Sequence, residues 1–294
     1  MTENENQEAS PRLDNEESRR LLSQVNASGF LLQLGIEHQV KAEKDRHEWE
    51  VLAREHPWRD RTTGDEGYVD LILQKGAFRM LIECKRTRGA RWVFLAPEDR
   101  AANEHRVRCQ WLEGGRGLET LAGCDDFRVA PKSPEAQFCV VRGQGDADQP
   151  LLERLSRTLL KSLESFAVEE HSYEMDRMGP RLKMYLPAIV TTSELQVCRF
   201  NPAAVSLETG ELPEGQFSTV PLVRFRKSLT TTASPRVSPK GVGEANADME
   251  RTVLVINASA LNSVLKDFEF VKLGFWEKWP WTAAREILPP SGQR

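Results

Sequence analysis

Asp70, Glu83 and Lys85 are the side chains whose types and spacing could do chemistry, and they sit in one stretch, GYVDLILQKGAFRMLIECKRTR (residues 67–88). Two apolar strands flank Gly76-Ala77, and a glycine at the first central position predicts a two-residue type II′ hairpin. That turn pairs Lys75 with Phe78, and counting outwards places Asp70 opposite Glu83. Opposed residues share a face, with Cβ atoms about 5 Å apart. Alternation brings Lys85 to the same face as Glu83. The other face is then apolar: Val69, Leu71 and Leu73 against Met80, Ile82 and Cys84. Two carboxylates this close repel each other, and a partly buried pair tends to keep one proton. A hard divalent cation removes that cost, and Mg²⁺ is commonly held by one or two carboxylates plus water and a substrate phosphate. Lys85 would then hold the attacking water or stabilise charge developing on a phosphate. The plainer alternative is an amphipathic hairpin whose Glu–Lys pair lies on a solvated face.

The elements around this stretch must position it. Helical periodicity begins at Glu16, breaks near Ser28-Gly29 and resumes to about Glu43. HEWEVLAREHPW (47–58) alternates as a strand from Trp49 through Val51 and Ala53, with Glu48 and Glu50 on its polar face. Beyond the hairpin, Trp92–Leu95 predicts a short strand, 97–134 an irregular insertion over the active face, and AQFCVVRGQ (136–144) a buried strand ending near Gln144. Residues 149–170 carry the clearest helix, with a stripe of Leu151, Leu152, Leu155, Leu159, Leu160 and Leu163. Strands follow at Met184–Thr191, Glu194–Phe200, Val220–Phe225 and Thr252–Ile256, the last one having nowhere to pair except the main sheet. Composition makes 228–249 a flexible loop and 1–14 a disordered tail. FWEKWPW clusters Trp276, Trp279 and Trp281 as a packing lid or partner surface. The expectation is one α/β domain over 15–285, a mixed β-sheet flanked by helices, with insertions.

Tyr68-Val69-Asp70, an apolar strand and turn, and then Ile82-Glu83-Cys84-Lys85 resemble the PD-(D/E)xK nuclease superfamily, although Val69 stands where that name has proline. The resemblance implies a restriction-endonuclease-like core: a helix, a β-meander carrying the site, a second helix and a further strand. It also implies Mg²⁺-dependent phosphodiester hydrolysis, with Mn²⁺ able to substitute, Asp70 and Glu83 as metal ligands and Lys85 positioning the water. The first core helix of that family often presents a glutamate to the metals. Glu37 is the candidate here, with Glu50 the runner-up. DNA rather than RNA as the substrate, and a role in bacterial defence or restriction, come from the resemblance alone. A homodimer or a partner protein would fit the cutting of duplex DNA. A catalytically inactive member, serving as a nucleic-acid-binding or assembly module, is the competing reading.

Composition narrows the setting. The 294 residues carry a net charge of −4, so no global field attracts nucleic acid. Charge is locally uneven: Arg79, Lys85, Arg86, Arg88 and Arg91 stand against Glu83 alone, and Arg86, Arg88 and Arg91 are the candidate nucleic-acid contacts beside the site. Five cysteines without a C-x-x-C pair, and no zinc pattern among the histidines, point to free thiols in a reducing, cytoplasmic setting. The acidic N-terminus lacks a secretory pattern, and no stretch predicts a membrane span.

Overall fold

The computed structural model describes residues 15–60, 63–87, 89–98, 105–114, 121–141, 150–174, 181–229 and 241–270. Helices α1 (Asn15–Ala27) and α2 (Phe30–Ala42) meet at Ser28-Gly29, and one further turn forms α3 (Lys44–His47). An antiparallel meander follows: β1 (Glu50–Arg59), β2 (Glu66–Lys75) and β3 (Phe78–Lys85). Next come β4 (Arg91–Pro97), β5 (Arg106–Gly114), β6 (Leu121–Ala130), β7 (Glu135–Ala136) and β8 (Phe138–Val141). The long helix α4 (Leu151–Glu174) leads to β9 (Arg181–Thr191), β10 (Glu194–Phe200), β11 (Gln216–Thr219) and β12 (Leu222–Ser228). Helix α5 (Val242–Asp248), β13 (Glu250–Asn257), α6 (Leu261–Asp267) and β14 (Glu269–Phe270) complete the described chain.

The protein is a mixed α/β structure with two mixed sheets. The larger has ten strands, with β1-β2-β3-β9-β13-β12-β7 as its main path and β5, β6 and β14 built on through β9. The smaller runs β11-β10-β4-β8. Strands β3, β9 and β13 are mutually parallel neighbours, so their carboxyl ends lie on one edge. A parallel pair needs a long crossover, and between β3 and β9 that crossover includes α4. Strands β9 and β10 are separated only by Thr192-Ser193 yet enter different sheets: β10 pairs in parallel with β4.

Both faces of the central strands are covered, which is why they read as apolar runs rather than clean alternation. On one face Ile36 and Val40 of α2 pack with Leu71, Leu73, Met80 and Ile82. On the other, Leu152, Leu159, Leu160 and Leu163 of α4 pack over Ile72, Leu81, Ile189 and Val255. The α4 stripe follows helical spacing and meets the sheet as predicted. Glu170 fixes this helix by accepting from Arg79 Nε at 2.6 Å and from the Tyr185 hydroxyl at 3.0 Å.

Three expectations change. The stretch 97–134 is not irregular where it is described: it supplies β5 and β6, paired antiparallel, with β5 added to β9. Strand β8 is an edge of the small sheet rather than a buried strand, with Phe138 and Val140 more than half exposed. Part of the predicted 228–249 loop is helix α5. The tail 1–14, Gln144 and the tryptophans at 276, 279 and 281 lie outside the described residues.

Candidate active site

Local geometry begins at the turn. Gly76 has φ 56°, a left-handed value that a residue without Cβ adopts readily. Lys75 pairs with Phe78 and the ladder then runs in register to Leu71 opposite Ile82. One step further, where Asp70 faces Glu83, no rung is formed. The Asp70 carboxylate turns in instead and accepts the Cys84 backbone N–H at 2.6 Å. Gln33 of α2 donates to the Asp70 carbonyl at 3.1 Å, so the opening of the hairpin is held from both sides.

Alternation along β3 sends Met80, Ile82 and Cys84 towards α2, and Arg79 and Leu81 towards α4. Glu83 and Lys85 continue the second series. The apolar face is therefore not one-sided, because Ile72 and Leu81, beneath the polar trio, are fully buried against α4. Val69 also departs from expectation and joins the α4-side core rather than that of Leu71 and Leu73.

Burial above all, then the neighbouring Asp70 charge, pushes the Glu83 carboxyl up to about 7, with Lys85 pulling the other way. Asp70 is likewise raised, chiefly by burial. The Cys84 N–H and Lys85 oppose that rise, and the charge of Glu55 adds to it. Among the described residues nothing donates a hydrogen bond to the Glu83 carboxylate. Two crowded, partly desolvated carboxylates with one lysine form a donor set that a divalent cation fits, since it would supply the missing positive charge. No group of three or more His, Cys, Asp or Glu side chains among the described residues is arranged to hold a metal. Any cation here would take two carboxylates, with solvent or substrate oxygens completing its shell.

The remaining candidates are dispersed. Glu37 is 6% exposed on the α2 face, where it is taken up by Lys41 at 2.5 Å and Arg54 at 3.6 Å. Those cations hold its carboxyl below the usual range. Glu50 stands opposite Gln74, four residues along β2 from Asp70, and is bound by Lys44 at 2.6 Å. Neither is among the charges that shift the Asp70 or Glu83 carboxyl. Arg91 is exposed and paired with Glu194 at 2.9 Å, Arg86 directly follows β3, and Arg88 lies outside the described residues.

Glu55 is the acidic residue that sequence reading passed over. The pairs Arg54–Leu71 and His56–Val69 place it across from Asp70. It is exposed and has φ 45°, in the left-handed region that costs a side-chain-bearing residue free energy. Gln33, one turn before Glu37, is the residue with which α2 reaches the site.

A scan against family models, a search of curated proteins and a search of solved structures each return no match.

Proposed function

We propose that this protein is a metal-dependent nuclease built on a restriction-endonuclease-like core. The observation that carries the reading is the meeting of Asp70, Glu83 and Lys85 at the open end of the β2–β3 hairpin, with burial raising both carboxyl groups. The order α2, β1–β2–β3, α4, β9, with β9 parallel to β3, supports it, being the order the family resemblance implies. Asp70 and Glu83 would hold Mg²⁺ or Mn²⁺. When bound, such an ion polarises a phosphoryl oxygen and makes hydroxide available near neutral pH. The chain's own part is to fix geometry. The Cys84 N–H and Gln33 hold Asp70, the buried layer of Ile72 and Leu81 excludes water below, and Lys85 presents N–H donors to the attacking water or a non-bridging oxygen. DNA as substrate is carried by the resemblance.

The test is cleavage of plasmid, linear duplex and single-stranded substrates with Mg²⁺ or Mn²⁺, alongside EDTA, Asp70→Ala and Lys85→Ala. Cutting should require the metal and fall by about a hundredfold or more in each variant. Metal-independent cutting, or full activity in both variants, would sink the proposal. Metal binding without cutting would favour an inactive binding module.

A further inference from the structure

On the α4 side of the sheet, the side to which Glu83 and Lys85 alternate, a cleft of about 1440 Å³ runs between α4 and the β1–β2 arm. Small-molecule sites are roughly 300–1,000 Å³, so this volume suits an extended chain. Its lining on α4 runs from Arg157 to Tyr173, about 24 Å of helix at 1.5 Å per residue. Tyr68, two residues from Asp70 on β2, and Tyr173 line it and are 68% and 71% exposed. Trp58 lies on the lining, 5% exposed, and its indole N–H finds no acceptor among the described residues.

We infer that this cleft binds single-stranded nucleic acid, its bases stacking on Tyr68 and Tyr173 and its phosphates meeting Arg59, Arg157 and Lys161. Exposed aromatic rings stack on unpaired bases, whose faces a duplex hides. Among the described residues no carboxylate pairs with Arg59 or Arg157. Lys161 pairs with Asp65 at 2.5 Å, an exposed contact that a phosphate can replace at little cost. Four carboxylates among the described residues line the cleft as well. Glu169 accepts from the Tyr173 hydroxyl and meets His56, Asp60 accepts from Thr63, burial raises the Glu164 carboxyl above its ordinary value, and Glu66 is exposed. The inference adds a substrate form to the nuclease reading, and only the delivery of the strand to Asp70 rests on that reading.

The experiment is fluorescence anisotropy of a labelled homothymidine oligonucleotide with the full chain in EDTA, so that binding is read without cleavage. A duplex of the same length and an oligolysine peptide form parallel arms. The single strand should bind more tightly than the duplex, and Tyr68→Ala and Tyr173→Ala should each weaken it by about five- to a hundredfold. Tyr68→Phe and Tyr173→Phe should retain stacking and binding, which separates stacking from loss of fold. Arg157→Ala should flatten the dependence of log affinity on log salt by about 0.7. No binding of the single strand, unchanged affinity in both alanine variants, or binding of the peptide instead would overturn the inference. Duplex cleavage that persists under any of those outcomes would leave the nuclease reading standing. Tyrosine-dependent binding with no cleavage would do the reverse.

Discussion

Glu83 couples the site to pH. Its carboxyl rises from 4.5 in an unfolded setting to about 7 in the fold. Between those values the folded state holds a proton that the unfolded state has lost, so stability falls as pH rises through that window. Glu83→Gln removes the titration. In EDTA the variant should gain on wild type by an amount of order 2 kcal/mol between pH 4.5 and pH 8, measured by urea unfolding at both ends. A constant difference across the window would mean Glu83 is not the group responsible. Added Mg²⁺ should reduce the wild-type slope, since a cation and a proton compete for the same oxygens. The trio Asp70, Glu83 and Lys85 was legible in the sequence because its placement depends on one glycine turn and on strand parity. Glu55 was not, because it depends on backbone irregularity. The β1–β2 register shifts between Val51 and Ala53, and Glu55 itself adopts a positive φ. Glu37 depends on how α2 is rotated about its axis, which an apolar stripe fixes too loosely to aim one carboxylate.

At the scale of elements, α4 is the piece that closes the cleft and covers the floor of the site. Its anchor is Glu170, which meets Arg79 at 2.6 Å on β3 and the Tyr185 hydroxyl on β9. Arg79 is 4% exposed, so removing its partner leaves a buried guanidinium without its counter-charge. Glu170→Ala should destabilise by about 3–5 kcal/mol, seen as a lower denaturation midpoint in guanidinium. Glu170→Gln, which keeps acceptor geometry, should cost less. Equal costs would point to packing rather than charge. Most helices and the hairpin could be read in advance because their hydrophobic period is strong. Strands β5 and β6 were passed over although Val107, Cys109 and Trp111 are buried in alternation with Arg106, Arg108 and Gln110. The many charges masked a period of two. Strand β8 erred the other way, its apolar run proving to be an edge, where sequence records hydrophobicity but not which neighbour is missing.

At the scale of the molecule, assembly depends on strands that travel far before pairing, and buried charge ties them together. Asp126 on β6 accepts from Arg226 on β12 at 2.6 Å and from Arg108 on β5 at 3.3 Å. Arg226 also meets Glu250 on β13 at 2.8 Å, and Arg108 reaches Asp248 at 3.3 Å. The cluster thus joins the built-on strands β5 and β6 to the main path of the large sheet, a link that no local sequence pattern announces. Asp126 is 8% exposed, and its loss removes the carboxylate that the desolvated Arg226 and Arg108 share, leaving Arg226 with Glu250 and Arg108 with Asp248. Asp126→Ala should cost about 3–5 kcal/mol and lower the midpoint of unfolding as a whole, because the network crosses elements rather than sitting within one. The exposed pair Arg91–Glu194 supplies the contrast: Glu194→Ala should leave the unfolding midpoint nearly unchanged. Circular dichroism melts and denaturant titrations of both variants decide the matter. If Asp126→Ala were as mild as Glu194→Ala, the buried network would not be what holds β5 and β6 to the sheet, and that task would fall to the β5–β9 ladder and the packing of Val107, Trp111 and Phe127.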